Sequence, residues 1–151
     1  MQAQEIMITD VFTVKKTDTV RSVIQQFVEH RISGLPVVNE ENEVVAYVSD
    51  GDIMRYIGKH KDFVVNSLYY MKVFKGDQVG FEERVQNLLN LNVMDVAKKK
   101  VIKVSWNEEI EDVAALLGEK QIKKLPVVRD EVLVGIISRG DVIRNIFKRV
   151  L

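Results

Sequence analysis

Leu35-Pro36-Val37-Val38 returns 90 residues later as Leu125-Pro126-Val127-Val128, and Ser49-Asp50-Gly51-Asp52-Ile53 returns 89 residues later as Ser138-Arg139-Gly140-Asp141-Val142. Two signatures repeated in the same order mark an internal duplication. The one-residue slip falls in the polar turn between them, where Asn39-Glu40-Glu41-Asn42-Glu43 is answered by the shorter Arg129-Asp130-Glu131. A deletion in a turn is what duplication followed by drift leaves. Pro36 and Pro126 each open a Val-Val strand, a position at which no ladder donor is needed.

Upstream of each signature the pattern is also shared. Val11-Phe12-Thr13-Val14 and Val101-Ile102-Lys103-Val104 read as short β-type runs. Thr17 and Asn107 are the expected helix N-caps, with Asp18, Glu108 and Glu109 suited to a first helical turn. Val20, Val23, Ile24, Phe27 and Val28, and then Ile110, Val113, Ala114 and Leu117, follow the spacing of a helix with one buried stripe. The first helix is expected to end at His30, where a proton suits the dipole, and Trp106 reads as a packing residue. Downstream, Val44-Val45-Ala46-Tyr47-Val48 and Val132-Leu133-Val134-Gly135-Ile136-Ile137 return as hairpin strands, and a helix follows each serine.

The fold class is therefore α/β (α+β), with two β-α-β-β-α repeats packed about a pseudo-two-fold axis. A unit of about 50 residues buries too little apolar surface alone, so each copy needs the other. The expected division is 1–58 for the first repeat, 59–90 for an inter-repeat segment with a short helix, and 91–151 for the second repeat. In the middle segment, Phe81, Val85, Leu88 and Leu89 give the short helix. Phe63, Leu68, Tyr69, Tyr70, Met71, Val73 and Phe74 make the part before it too apolar for a free tether, so it should pack on the pair or help an oligomer form.

Composition narrows the function. The 151 residues carry 22 Lys+Arg against 22 Asp+Glu, which gives no general field for nucleic acid or an anionic membrane. With no cysteine, disulfides, thiolate catalysis and cysteine-based metal sites are excluded, and His30 and His60 make no metal-ligand pair. No signal peptide or membrane span is read, so a cytoplasmic protein is expected. No nucleophile–base pair or phosphate loop is present, and the chain is read as not an enzyme.

The residues quoted above carry a family resemblance. The chain resembles a tandem pair of cystathionine β-synthase (CBS) domains, a stand-alone Bateman module. The resemblance rests on Ile32-Ser33-Gly34-Leu35-Pro36-Val37-Val38 against Ile122-Lys123-Lys124-Leu125-Pro126-Val127-Val128. It rests also on Gly135-Ile136-Ile137-Ser138-Arg139-Gly140-Asp141, similar to that family's ribose-phosphate motif, and on Ala46-Tyr47-Val48-Ser49-Asp50-Gly51-Asp52, which departs from it at Ala46. It implies a regulatory module that binds AMP, ADP, ATP, NAD or S-adenosylmethionine in clefts between repeats, with energy sensing as one role. The adenine nucleotide is a ligand, and no cofactor is required. A homodimer and a separate regulated protein are implied, without nucleic acid or membrane. Ile53, Met54, Tyr56, Ile57 and the last helix would support the dimer.

The same resemblance nominates site residues. In the main cleft, Asp141 would accept the ribose hydroxyls beside Ser138 and Ile136, Gly140 would keep the approach open and Arg139 would meet phosphate. Lys123 and Lys124 precede a strand where the family reaches its ligand, and Thr9, Phe12, Ile32 and Ser33 would complete that cleft. Ile32 and Ile122 would lie against adenine. The second cleft, expected to be the weaker anion site because Asp50 repels phosphate, would use Asp52, Ser49, Tyr47, Ile122, Ile102 and Lys100. Each role has a plain alternative. Ser-x-x-Asp before an apolar helix is also a capping box, and isoleucines are ordinary core. Lys123-Lys124 and Lys98-Lys99-Lys100 read equally as solvated basic loops. A dimeric interaction module with no physiological nucleotide is the alternative function.

Overall fold

The computed structural model describes residues 1–119 and 122–151. The first repeat runs β1 (Val14–Lys15), α1 (Val20–His30), β2 (Gly34–Val38), β3 (Val44–Ser49) and α2 (Asp50–Ile57). Then come β4 (Phe63–Asn66), β5 (Met71–Phe74) and α3 (Phe81–Asn90). The second repeat runs β6 (Val104–Ser105), α4 (Ile110–Glu119), β7 (Lys124–Arg129), β8 (Val132–Ser138) and α5 (Arg139–Phe147). Both repeats are the expected β-α-β-β-α unit. Each forms a three-stranded sheet, β1 parallel to β2 and β2 antiparallel to β3, then β6, β7 and β8 in the same way.

The duplication extends to irregularities. The β2–β3 ladder shifts register at Val37/Val38, and the β7–β8 ladder at Val127/Val128. The turns differ where the sequence slips. Asn42 takes a φ of 60° in the longer loop, whereas Asp130 and Glu131 take 50° and 68° in a two-residue turn. Two consecutive positive φ values are the mark of the tight turn that matches strand twist. The β-type runs shrink to two residues each, because only Val14–Lys15 and Val104–Ser105 find a partner strand. The expected caps also move. Thr19 precedes α1 and α4 starts at Ile110, so Thr17 and Asn107 lie in the turns before the helices.

Neither sheet closes its core alone, and the segment that completes each comes from the other repeat. A 3-10 turn at Ala3–Glu5 docks on the second repeat, where Ala3 and Ile6 join Val104, Ile110, Val113 and Ile137. A matching turn at Val93–Asp95 docks on the first repeat, where Val93 joins Val14, Val20, Val23 and Val48. The backbone bonds are equivalent. The Ile110 N–H donates to the Met1 carbonyl at 2.9 Å as that of Val20 does to Leu91 at 2.9 Å, and the Ala3 N–H reaches Glu108 at 2.8 Å as that of Val93 reaches Asp18 at 2.9 Å. Further along, Ile8 bridges Ile136 and Lys98 bridges Tyr47. One pair of contacts differs: a Cβ on Gly135 would lie 2.5 Å from Met7 Sδ, so the glycine makes room for that side chain. Ala46 stands at the same place in the first repeat, with Ala97 packed nearby. A third cluster, Val38, Val44, Val128 and Leu133 with Val11 and Val101, seals the seam between the sheets.

The middle segment divides. Its helix α3 buries Leu88 in the first repeat's core. The apolar part before it does not pack on the pair: β4 and β5 form a separate two-stranded hairpin, exposed along its length.

Candidate functional site

Ser49 ends β3 and Ser138 ends β8, and at both points extended backbone gives way to helix. The first amides of a helix lack intrahelical acceptors. Asp52 and Asp141 sit three residues in and turn back. Asp141 Oδ2 accepts from the Ser138 N–H and Oγ, both at 2.8 Å. Asp52 Oδ2 accepts from the same groups of Ser49, at 2.9 and 3.2 Å. The plain alternative is thus present in both repeats: each Ser/Asp pair is a capping box.

Each carboxylate has a second partner. Arg144 Nη2 donates to Asp141 Oδ1 at 2.9 Å, and Arg55 Nη2 pairs with Asp52 Oδ1. The adjacent glycines lie close to these arginines. A Cβ on Gly140 would lie 2.9 Å from Arg144 Nη1, and one on Gly51 would lie 3.4 Å from Arg55 Nη1. Both carboxylates are nearly buried, while the arginine side chains stay 62% and 71% exposed. A ligand can therefore displace the guanidinium and inherit a pre-oriented acceptor. Sequence reasoning missed Arg55 and Arg144, although they recur at the same 89-residue offset as the aspartates.

A cavity of about 430 Å³ opens beside Asp52. Ser33, Gly34, Tyr47 and Ser49 line it from the first repeat, and Ile102, Ile122 and Pro126 from the second. Tyr47 lies over Gly34, where a Cβ would come within 2.6 Å of its hydroxyl. Burial, helped by the charge of Asp50, pushes the Tyr47 phenol up to about 12, so it faces the cavity as a neutral donor. Around this floor stand Lys98, Lys100, Lys123 and Lys124, with Arg55, against only Asp50 and Asp52.

This arrangement extends the expected allotment of charge. Lys123, Lys124 and Ser33, expected at Asp141, also line the cavity at Asp52. The reason is the sheet register. Gly34 pairs with Ser49, which sets Ser33 beside that cap, and the bridge from Lys98 to Tyr47 draws the second repeat's leading segment across the same opening. The Lys123–Lys124 backbone still adjoins the other cap, since Lys124 pairs with Ser138 and the Lys123 carbonyl accepts from Arg139. At the positions 90 residues before Lys98 and Lys100 stand Ile8 and Asp10. The Asp52 cavity therefore carries a surplus of cations.

The remaining nominees spread out. Ser138, Arg139, Gly140 and Asp141 stay together at the start of α5, with Arg139 Nε donating to the Leu117 carbonyl of α4 at 3.0 Å. Ile136 pairs with Ile8. Phe12 stacks on His30 at 3.9 Å, Thr9 is exposed, and Ile32 packs on the first repeat's core. Of the apolar residues on α2 expected at a dimer face, Ile53 is buried and Tyr56 and Ile57 pack against the same core, leaving Met54 exposed. Among the described residues, no three His, Asp or Glu side chains gather as a metal would require, and no helix is long and apolar enough to cross a membrane.

The CBS domain family model matches residues 3–59 and 93–148, the two halves that exchange their leading turns. The chain belongs to the CBS-domain family. It is 33% identical over 153 residues to protein MJ1426 of Methanocaldococcus jannaschii, covering 95% of this chain and 89% of that one. This CBS pair also superposes on solved ones. The structure of CBSX2 in complex with AMP gives a TM-score of 0.73 at 24% identity, covering 99% and 98% of the two chains. The CBS domain pair of MJ0100, in complex with 5-methylthioadenosine and S-adenosyl-L-methionine, gives 0.70 at 19%, covering 99% and 98%.

Proposed function

We propose that this CBS pair is a regulatory module that binds a phosphate-bearing adenosine compound in the Asp52 cavity and passes its occupancy to another protein. The observation that carries the reading is the gathering of four lysines from the second repeat around a capped aspartate of the first. A cavity of about 430 Å³ lies in the range of small-ligand sites. Asp52 supplies a fixed acceptor for vicinal hydroxyls, Ile102 and Ile122 supply apolar wall for a base, and the lysines meet phosphate. Relatives in complex with AMP and with methylthioadenosine lend the adenosine part of the ligand its support.

Both repeats wall the cavity, so a ligand there touches the seam between them. It shifts their relative position only as far as it binds one arrangement better than another. Caps, lysines and apolar walls are suited to holding a ligand, which fits a regulatory role.

A second reading, a dimeric interaction module without a nucleotide, draws on a specific fact. Both aspartates are already satisfied by caps and arginines, and Ile143, Phe147 and Val150 at the last helix are exposed. Calorimetry with AMP, ADP, ATP and S-adenosylmethionine separates the two. The sensor reading expects a Kd below about 1 mM for at least one phosphate-bearing compound, and weaker binding of the cationic sulfonium. No heat and no thermal shift with any compound would leave the interaction module.

A further inference from the structure

We propose that the β4–β5 hairpin is an assembly element, and that its β4 edge pairs with the β4 edge of a second copy of this chain in one continuous antiparallel sheet. An isolated two-stranded hairpin is marginal in water, and three or more strands are needed for independent stability. This hairpin is isolated, and its residues are apolar on both sides. Nine large apolar residues between Phe63 and Phe74 are 36% to 96% exposed, with Leu68 and Tyr69 above 90%. Those side chains lie on both faces of the hairpin and at its turn, so a second copy paired along β4 would extend both faces and add cross-strand neighbours to each.

The two edges of the hairpin are not alike. Open edges are normally blunted by lysine, proline or a bulge. On β5, Lys72 stands mid-strand with its ammonium over Phe74. On β4, Phe63-Val64-Val65-Asn66 has no charge, no proline and no bulge. The register shows which groups face out. The Ser67 N–H donates to the Tyr70 carbonyl at 2.8 Å, so by antiparallel alternation Val65 and Phe63 bond inward and Val64 and Asn66 turn their N–H and C=O to the open side. Between 63 and 74 the only charge is Lys72, so the strand favours an uncharged partner over a polyanion or an acidic surface. A second copy supplies one, and strand-to-identical-strand pairing is self-complementary about a two-fold axis.

The test uses the full chain and a proline that spares the hairpin. At Val64 the N–H faces outward, so Val64→Pro removes an edge donor while leaving the β4–β5 bonds in place. Light scattering should show the assembly mass of the wild type halved in Val64→Pro and in Val64→Lys, with the melting temperature of the repeats and nucleotide affinity unchanged. Because the chain lacks cysteine, Val64→Cys or Val65→Cys should oxidise to a covalent dimer, and Val73→Cys on β5 should not. The proposal is overturned by equal masses for wild type, Val64→Pro and Val64→Lys, by preferential cross-linking through Val73→Cys, or by a monomer whose Tyr69 and Tyr70 fluorescence responds to anionic vesicles.

Discussion

Asp52 and Asp141 show how one residue type at equivalent positions comes to differ in use. Both cap a helix and both pair with an arginine three residues on, so both contribute to stability. Replacing either by alanine should cost about 1–2 kcal/mol, the ordinary loss of a cap. Calorimetry should tell them apart: Asp52→Ala is expected to weaken binding of the adenosine phosphate at least tenfold, and Asp141→Ala to leave it nearly unchanged. Lys123→Glu reverses a charge at the same cavity, and should weaken ATP by about tenfold or more and flatten the dependence of Kd on salt. Equal losses from Asp52→Ala and Asp141→Ala would remove the preference for the first cleft. Most residues lining the cavity were legible in the sequence, but the reach of Lys123 and Lys124 to it was not. The 90-residue offset maps Ser33 onto Lys123, so the register that sets Ser33 beside Ser49 also sets Lys123 beside Ser138; that Lys123 lines the Asp52 cavity as well comes from the packing of one repeat on the other, which no local pattern carries.

At the scale of elements, the helices and hairpins follow from periodicity and turn residues, because each is a local pattern repeated twice. The exchanged 3-10 turns do not. Ala3–Glu5 and Val93–Asp95 are three residues long, and their burial comes from a groove on the other repeat. The anchor of the β4–β5 hairpin was equally hidden. There His60 Nδ1 meets Asp77 Oδ1 at 2.7 Å, His60 Nε2 meets the Arg55 carbonyl at 2.7 Å, and Arg84 reaches Asp77 at 3.4 Å and the Ile57 carbonyl at 3.1 Å. Both imidazole nitrogens face acceptors, which only the cation satisfies by donating twice. The hydrogen bond to Asp77 accordingly raises the His60 pKa above its ordinary 6.5, and the bond from the His60 backbone lowers that of Asp77 below 3.8. A raised histidine contributes stability that is full below 6.5 and is lost as pH rises through its folded value. The lowered Asp77 contributes above 3.8 and loses its part as pH falls. The anchor is therefore strongest in mildly acidic solution. NMR titration should place the His60 midpoint above 6.5, and Asp77→Asn should bring it down. A midpoint at or below 6.5, or one indifferent to Asp77→Asn, would mean that the pair does not form.

The whole molecule is interlocked rather than merely paired, and this changes what counts as a folding unit. The first repeat's core contains Val93 at 0% exposure, and the second contains Ala3 at 0% and Ile6 at 7%. A fragment cut by sequence order, residues 1–58 or 91–151, therefore carries a leading turn that has lost its groove and a groove that has lost its turn. Each fragment is also below the size at which a core alone is comfortably stable. Separately, the two should show little cooperative melting and poorly dispersed NMR spectra; mixed, they should assemble one to one and recover the helical circular dichroism of the intact chain. Val93→Ser, which places a hydroxyl at a fully buried site, should lower the melting temperature of both repeats together. Independent cooperative melting of the isolated fragments would show instead that the exchanged turns are accessories. If the turns are structural, then the segment that bridges Lys98 to Tyr47 is one end of the element that completes the first repeat's core, and a ligand drawing on Lys98 and Lys100 pulls on the joint that holds the halves together.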